Sequence, residues 1–144
     1  MKGDFNPKIF HQKFVLRDFR DGRATTPGNP ALLSGSANFT ITDTHRNLNH
    51  VFVFHNSNVC RQYELEIDAA AASDASGARS TATCRSVFDL GGMPAKVLFA
   101  PVHTPELEIM KQMLKGEHEV FFAIFTFAGS SGIDDTMLAL ARGG

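Results

Sequence analysis

Short strand-forming runs alternate along this chain with segments of helical periodicity, and that alternation constrains the fold more than any other feature. Ile9 to Leu16 mixes β-branched, aromatic and polar residues, as a partly exposed strand does. His50 to Phe54 is nearly all apolar and reads as a central strand covered on both faces. Lys96 to Phe99 and Val120 to Phe125 read as two further strands, the second of them buried. Between these runs, Ser57 or Asn58 can cap a helix over Val59 to Ala72, with Val59, Tyr63 and Ile67 on one stripe. Glu64, Glu66 and Asp68 are then expected to face solvent. Thr104-Pro105-Glu106 opens another helix with an N-cap, a first-turn proline and an early acid, and Leu107, Met110 and Leu114 form its apolar stripe up to Gly116. Asp134 or Asp135 starts a last helix that runs out at Arg142-Gly143-Gly144. The predicted class is α/β, with a mixed sheet between helices.

Ser73 to Gly92 is small, polar and glycine-containing, with Val87-Phe88 as its only apolar anchor. The expected organisation is therefore residues 1–72, a linker over 73–92, and residues 93–144. With 144 residues and 43% hydrophobic content, the chain can bury one ordinary core. A net charge of −1, with basic residues scattered rather than clustered, provides no electrostatic footprint for nucleic acid. Cys60 and Cys84 show neither metal spacing nor a disulfide framework, and two free thiols fit a reducing compartment. Met1-Lys2-Gly3-Asp4 does not open an apolar signal segment, so a complete chain is expected to be cytoplasmic. The longest apolar run, Val120 to Phe127, is too short to span a bilayer.

The chemistry concentrates near the front. His11 and Lys13 are two apart, so on an extended strand they share a face and bring an imidazole and an ammonium to one point. A neutral imidazole can attack phosphorus while a fixed positive charge steadies oxygens that gain charge. Asp18 lies an odd number of residues from Lys13, on the opposite face or at the strand's end, and is expected to orient rather than to attack. Downstream, Ser36 and Asn38 share parity and offer a hydroxyl and an amide beside Gly35, a glycine that would let a phosphate approach the backbone. The plain alternative is that His11 is a surface strand residue and that Ser36 and Asn38 are turn formers.

His11-x-Lys13-x-x-x-x-Asp18 followed by Gly35-Ser36-Ala37-Asn38 resembles the signature of the phospholipase D superfamily, the HKD motif followed by Gly-Ser-x-Asn. Asn6-Pro7-Lys8-Ile9 also resembles the strand leading into that motif. The resemblance implies a phospholipase D-like fold and a metal-independent phosphodiesterase in which two motifs meet at one site. One histidine forms a phosphohistidine, the other protonates the leaving group, and water releases the product. Carried over by position, His11 is the nucleophile or the acid, Lys13 and Asn38 are phosphate ligands, Ser36 supports them, and Asp18 is an orienting carboxylate. No cofactor is implied. The chain departs from the pattern in a long Phe19 to Leu33 loop and in Arg46-Asn47-Leu48-Asn49-His50, where many members carry an acid.

The order of parts differs too. The HKD-containing end of one half comes first, and Lys96-Val97-Leu98-Phe99-Ala100-Pro101 with Val120 to Phe127 resembles the start of a second half. No second His-x-Lys-x-x-x-x-Asp follows residue 18, so the expected site is incomplete. It would be completed by a missing segment or by a second copy of the chain in a symmetric dimer. The expected substrate is a phosphodiester, with phospholipid favoured over nucleic acid because no basic patch is present. The alternatives are a nuclease of the same superfamily and a non-catalytic remnant that binds phosphate or partners through Lys13 and Asn38. Elsewhere, His45, His50 and His55 recur with a period that matches neither strand nor helix and find no acidic or cysteine partner for a metal. Gly129-Ser130-Ser131-Gly132 reads as a strand-to-helix loop rather than a phosphate loop, and His103 and His118 carry no evident chemistry.

Overall fold

The structure, a computed structural model of the chain, describes residues 11–76, 87–100, 102–124, 129 and 131–143, with only the backbone of 72–76. Two compact units divide between Val97 and Leu98, later than the predicted linker.

In the first unit, β1 (Phe14–Arg17) leads into a small hairpin of β2 (Phe19–Arg20) and β3 (Arg23–Ala24). Asp21 (φ 51°) and Gly22 (φ 76°) make its two-residue turn, and left-handed backbone at both positions is what a type I′ hairpin needs. The chain returns as β4 (Ala31–Gly35), passes a short helix α1 (Ile41–His45), and adds β5 (Val51–Phe54). The sheet order is β1-β4-β5, and all its pairs are antiparallel: Phe14 faces Ser34, Arg17 faces Ala31, and Gly35 faces Val51. Helix α2 (Ser57–Ser76) packs against this sheet. Leu32, Val59 and Cys60 are fully buried, Phe19 is buried beside them, and Phe14, Leu16, Phe54 and Tyr63 close around the cluster. A second hairpin, β6 (Val87–Asp89) with β7 (Pro94–Lys96), adds Phe88 and Leu90 to the same core.

The α/β class is present, but the expected mixed sheet is not: every strand pair among the described residues is antiparallel. The predicted loop from Phe19 to Leu33 contains the β2–β3 hairpin and the start of β4. Val51 to Phe54 lies beside β4 alone among the described strands, and Val51, Phe52 and Val53 are 54%, 56% and 55% exposed instead of covered on both faces.

Helix α2 buries Val59, packs Tyr63 on the core and exposes Asp68 as expected, but three of its positions depart from the expected faces. Glu64 and Glu66 are buried and Ile67 is 42% exposed. The acids tolerate burial because each has partners: Glu64 accepts from Arg61 at 2.5 Å and from the Gly22 N–H at 3.0 Å, and Glu66 accepts from Gln12. The cap is neither Ser57 nor Asn58 but Asn56, whose Oδ1 accepts from the Asn58 and Val59 N–H groups.

In the second unit, α3 (Pro105–Met113) and α4 (Ile133–Gly143) contact one another. Thr104 precedes α3 in a left-handed conformation (φ 43°) and makes no side-chain cap bond. Leu107 and Leu114 are exposed, so the predicted stripe is not buried. Residues 120–124 form no strand and are exposed, and the rest of that predicted strand lies outside the described residues. Lys96 ends β7 rather than beginning a strand, and Phe99 is held in a turn by His103, whose Nδ1 accepts from the Phe99 N–H at 2.9 Å. No described helix is long and apolar enough to cross a membrane.

Candidate functional site

Antiparallel pairing decides what meets what. Phe14 faces Ser34, so β1 begins, just after His11 and Lys13, opposite the end of β4, just before Gly35, Ser36, Ala37 and Asn38. His11 and Lys13 precede β1, which begins at Phe14 rather than at Ile9. Both belong to an entry segment anchored by Gln12, whose Nε2 donates to the buried Glu66 Oε1 at 2.8 Å. The His11 side chain is exposed, and Lys13 folds back so that its Nζ donates to the His11 carbonyl oxygen at 2.5 Å.

Asp18 is not part of this group. It sits at the other end of β1, roughly 17 Å from Lys13 by extended-strand rise, in a left-handed conformation (φ 53°). Its Oδ2 accepts from Asn29 Nδ2 at 2.8 Å and lies 3.5 Å from Arg17 Nε, while its carbonyl accepts from the Thr25 N–H at 2.9 Å. This carboxylate shapes the base of the connection between β1 and β4.

At the β4 end a continuous polar network forms. Ser36 Oγ donates to Asn49 Oδ1 at 2.8 Å, accepts from the His50 N–H at 3.2 Å, and lies 3.3 Å from His50 Nδ1. Asn49 Nδ2 donates to the Asp43 carbonyl at 3.0 Å. Asp43 is the hub that the sequence reading passed over. Its Oδ2 accepts from the Asn38 N–H at 3.0 Å and from Asn38 Nδ2, and its Oδ1 accepts from Asn47 Nδ2 at 2.5 Å. Hydrogen bonds from the Asn38 side chain and backbone hold the Asp43 carboxyl below the usual carboxylate range, aided by Asn47 and by the positive charge of Lys13. The sequence signal was Thr40-x-x-Asp43, a capping pattern: Thr40 Oγ1 accepts from the Asp43 N–H at 3.2 Å and starts α1. A carboxylate thus reaches the site from α1, ahead of the stretch from Arg46 to His50 where one was missed.

Gly35 has a different task from the one expected. A Cβ there would press on the His50 carbonyl oxygen and come within 2.9 Å of Val51 Cα, so the glycine lets β5 close on β4.

The hydrogen-bonded network joins Ser36 to Asn38 through Asn49 and Asp43, while Lys13 is bonded to the His11 carbonyl and acts on Asp43 through its charge alone. Together these side chains offer amide, hydroxyl and ammonium donors, the set that suits a phosphate oxygen. Among the described residues, no three His, Cys, Asp or Glu side chains gather as a metal site would require. The second unit carries an open, largely apolar cleft of about 930 Å³, lined by Met113, Leu114, Phe122, Met137 and Leu138 and by none of the motif residues. No protein-family model, curated protein or solved structure matches the chain.

Proposed function

We propose that the chain carries half of a phospholipase D-like phosphodiesterase site and hydrolyses a phosphodiester when a second HKD motif, from a partner chain or a longer polypeptide, completes it. The observation that carries this reading is the β1–β4 pairing, Phe14 against Ser34, which sets the strand that follows His11-x-Lys13 beside the strand that leads into Gly35-Ser36-Ala37-Asn38. In the proposed reaction the His11 imidazole attacks phosphorus, the N–P bond forms, and the ester P–O bond breaks. The leaving oxygen takes its proton from the second motif's imidazole, which then deprotonates the water that cleaves the N–P bond. Lys13 and Asn38 stabilise the phosphoryl oxygens, Ser36 holds its neighbours in place, and Asp18 orients the connection behind them through Asn29. A lipid or other small diester fits the lack of a basic patch better than nucleic acid does.

The test is hydrolysis of bis(p-nitrophenyl) phosphate in chelator by wild-type and His11→Ala chains over a range of protein concentration. Specific activity that rises with concentration and falls at least about 10³-fold in His11→Ala supports a site shared between two copies. A folded chain inactive at every concentration restricts the activity to a longer parent.

A further inference from the structure

Resting on the phosphodiester reading, we infer that the Asp43 carboxylate is an internal stand-in for the substrate phosphate, so that a phosphate group enters the site by displacing it from Asn38. Three donors converge on this one carboxylate, the Asn38 N–H, the Asn38 amide and the Asn47 amide, and they bind both of its oxygens. They are neutral groups. Among the described residues, no Lys or Arg lies in ion-pair contact with Asp43. Lys13 nevertheless contributes its positive charge to the same carboxylate. Two oxygens of one anion held by backbone and side-chain amides reproduce what a phosphate diester presents and needs. Lys13 and Asn38 are also the side chains assigned to phosphate, so carboxylate and phosphate compete for the same donors.

The carboxylate can leave at small cost. Helix α1 buries no side chain, and Phe39, Ile41 and Leu48 around it are all exposed, so little packing holds Asp43 where it is. A segment of this kind opens far more readily than the Leu32–Val59–Cys60 core beneath it. The Asn38 amide would then turn from Asp43 to the ligand, and substrate affinity would be set by the difference between the two anions.

Calorimetric titration of inorganic phosphate into the full chain tests this, with Asp43→Asn, Asp43→Ser and Lys13→Met compared with wild type after circular dichroism confirms that each is folded. The two Asp43 substitutions differ in size, so a folding defect in one leaves the other informative. The expected result is phosphate binding tightened about fivefold to tenfold in both, the scale of one charge interaction near a surface, and lost in Lys13→Met. Unchanged or weaker binding in the Asp43 variants, with wild-type binding still dependent on Lys13, overturns the inference and leaves the phosphodiester reading standing. Absence of Lys13-dependent phosphate binding in every variant overturns both.

Discussion

Gln12 Nε2 lies 2.8 Å from Glu66 Oε1, and this hydrogen bond pins the residue between His11 and Lys13 to the helix behind the sheet. Glu66 is buried, so removing its carboxylate strands a part-buried donor and cuts the entry segment loose. Glu66→Ala should cost about 1–3 kcal/mol in urea denaturation, with Glu66→Gln recovering most of it. In any assay where His11 matters, Glu66→Ala should lower turnover without abolishing it, whereas equal activity in the two variants would show that the pin does not position the motif.

Gly35→Ala should destabilise the protein by about 1–3 kcal/mol, because the added methyl meets the backbone of His50 and Val51 rather than a movable side chain. The β4–β5 pairing should suffer first. Hydrogen exchange would show it as faster exchange of the Ser36 N–H, which donates to the His50 carbonyl at 3.1 Å, while the α2 core amides keep their protection.

An exposed position on α2 and the β4 core position beneath that helix yield opposite expectations. Ile67→Ser, at an exposed position, should change stability by no more than about 0.5 kcal/mol. Leu32→Ala, at the centre of the core, should cost about 2–5 kcal/mol. Midpoints of urea denaturation compare them directly, and a large loss at Ile67 would restore the face assignment made from periodicity.

Asp43 has a depressed folded-state pKa, so its contribution to stability is present above the ordinary value of 3.8 and is lost as pH falls through the lower folded value. The groups acting on it are the amides of Asn38 and Asn47 and the Lys13 ammonium. Asp43→Asn should therefore flatten the acid limb of a stability-against-pH curve and leave the neutral region little changed in shape.

Burial raises the pKa of the Cys60 thiol above its ordinary 9.0, against smaller opposing hydrogen bonds to the backbone. In a Cys84→Ser background, Cys60 should resist a thiol reagent in the native protein and react once urea unfolds it. By the same linkage, the stabilisation from its neutral form holds below pH 9.0 and is lost as pH rises through the higher folded value. Rapid labelling of the native protein would mean that the core around Leu32 and Val59 opens far more often than its packing implies.

The sequence by itself determined the local chemistry: an imidazole, an ammonium, a hydroxyl and an amide spaced as His11, Lys13, Ser36 and Asn38, and a helix over Val59 to Ala72. Those are properties of neighbouring residues, set by strand parity, capping and composition. The tertiary structure decided what no local pattern encodes. It paired the entry of β1 with the end of β4, left Asp18 at the far end, and brought Asp43 onto Asn38. It also turned Glu64 and Glu66 inward, because partners distant in sequence, Gly22 and Gln12, satisfy them there. Periodicity ranks a carboxylate as solvent-facing by its cost of desolvation. Only the folded chain supplies the donors that offset that cost.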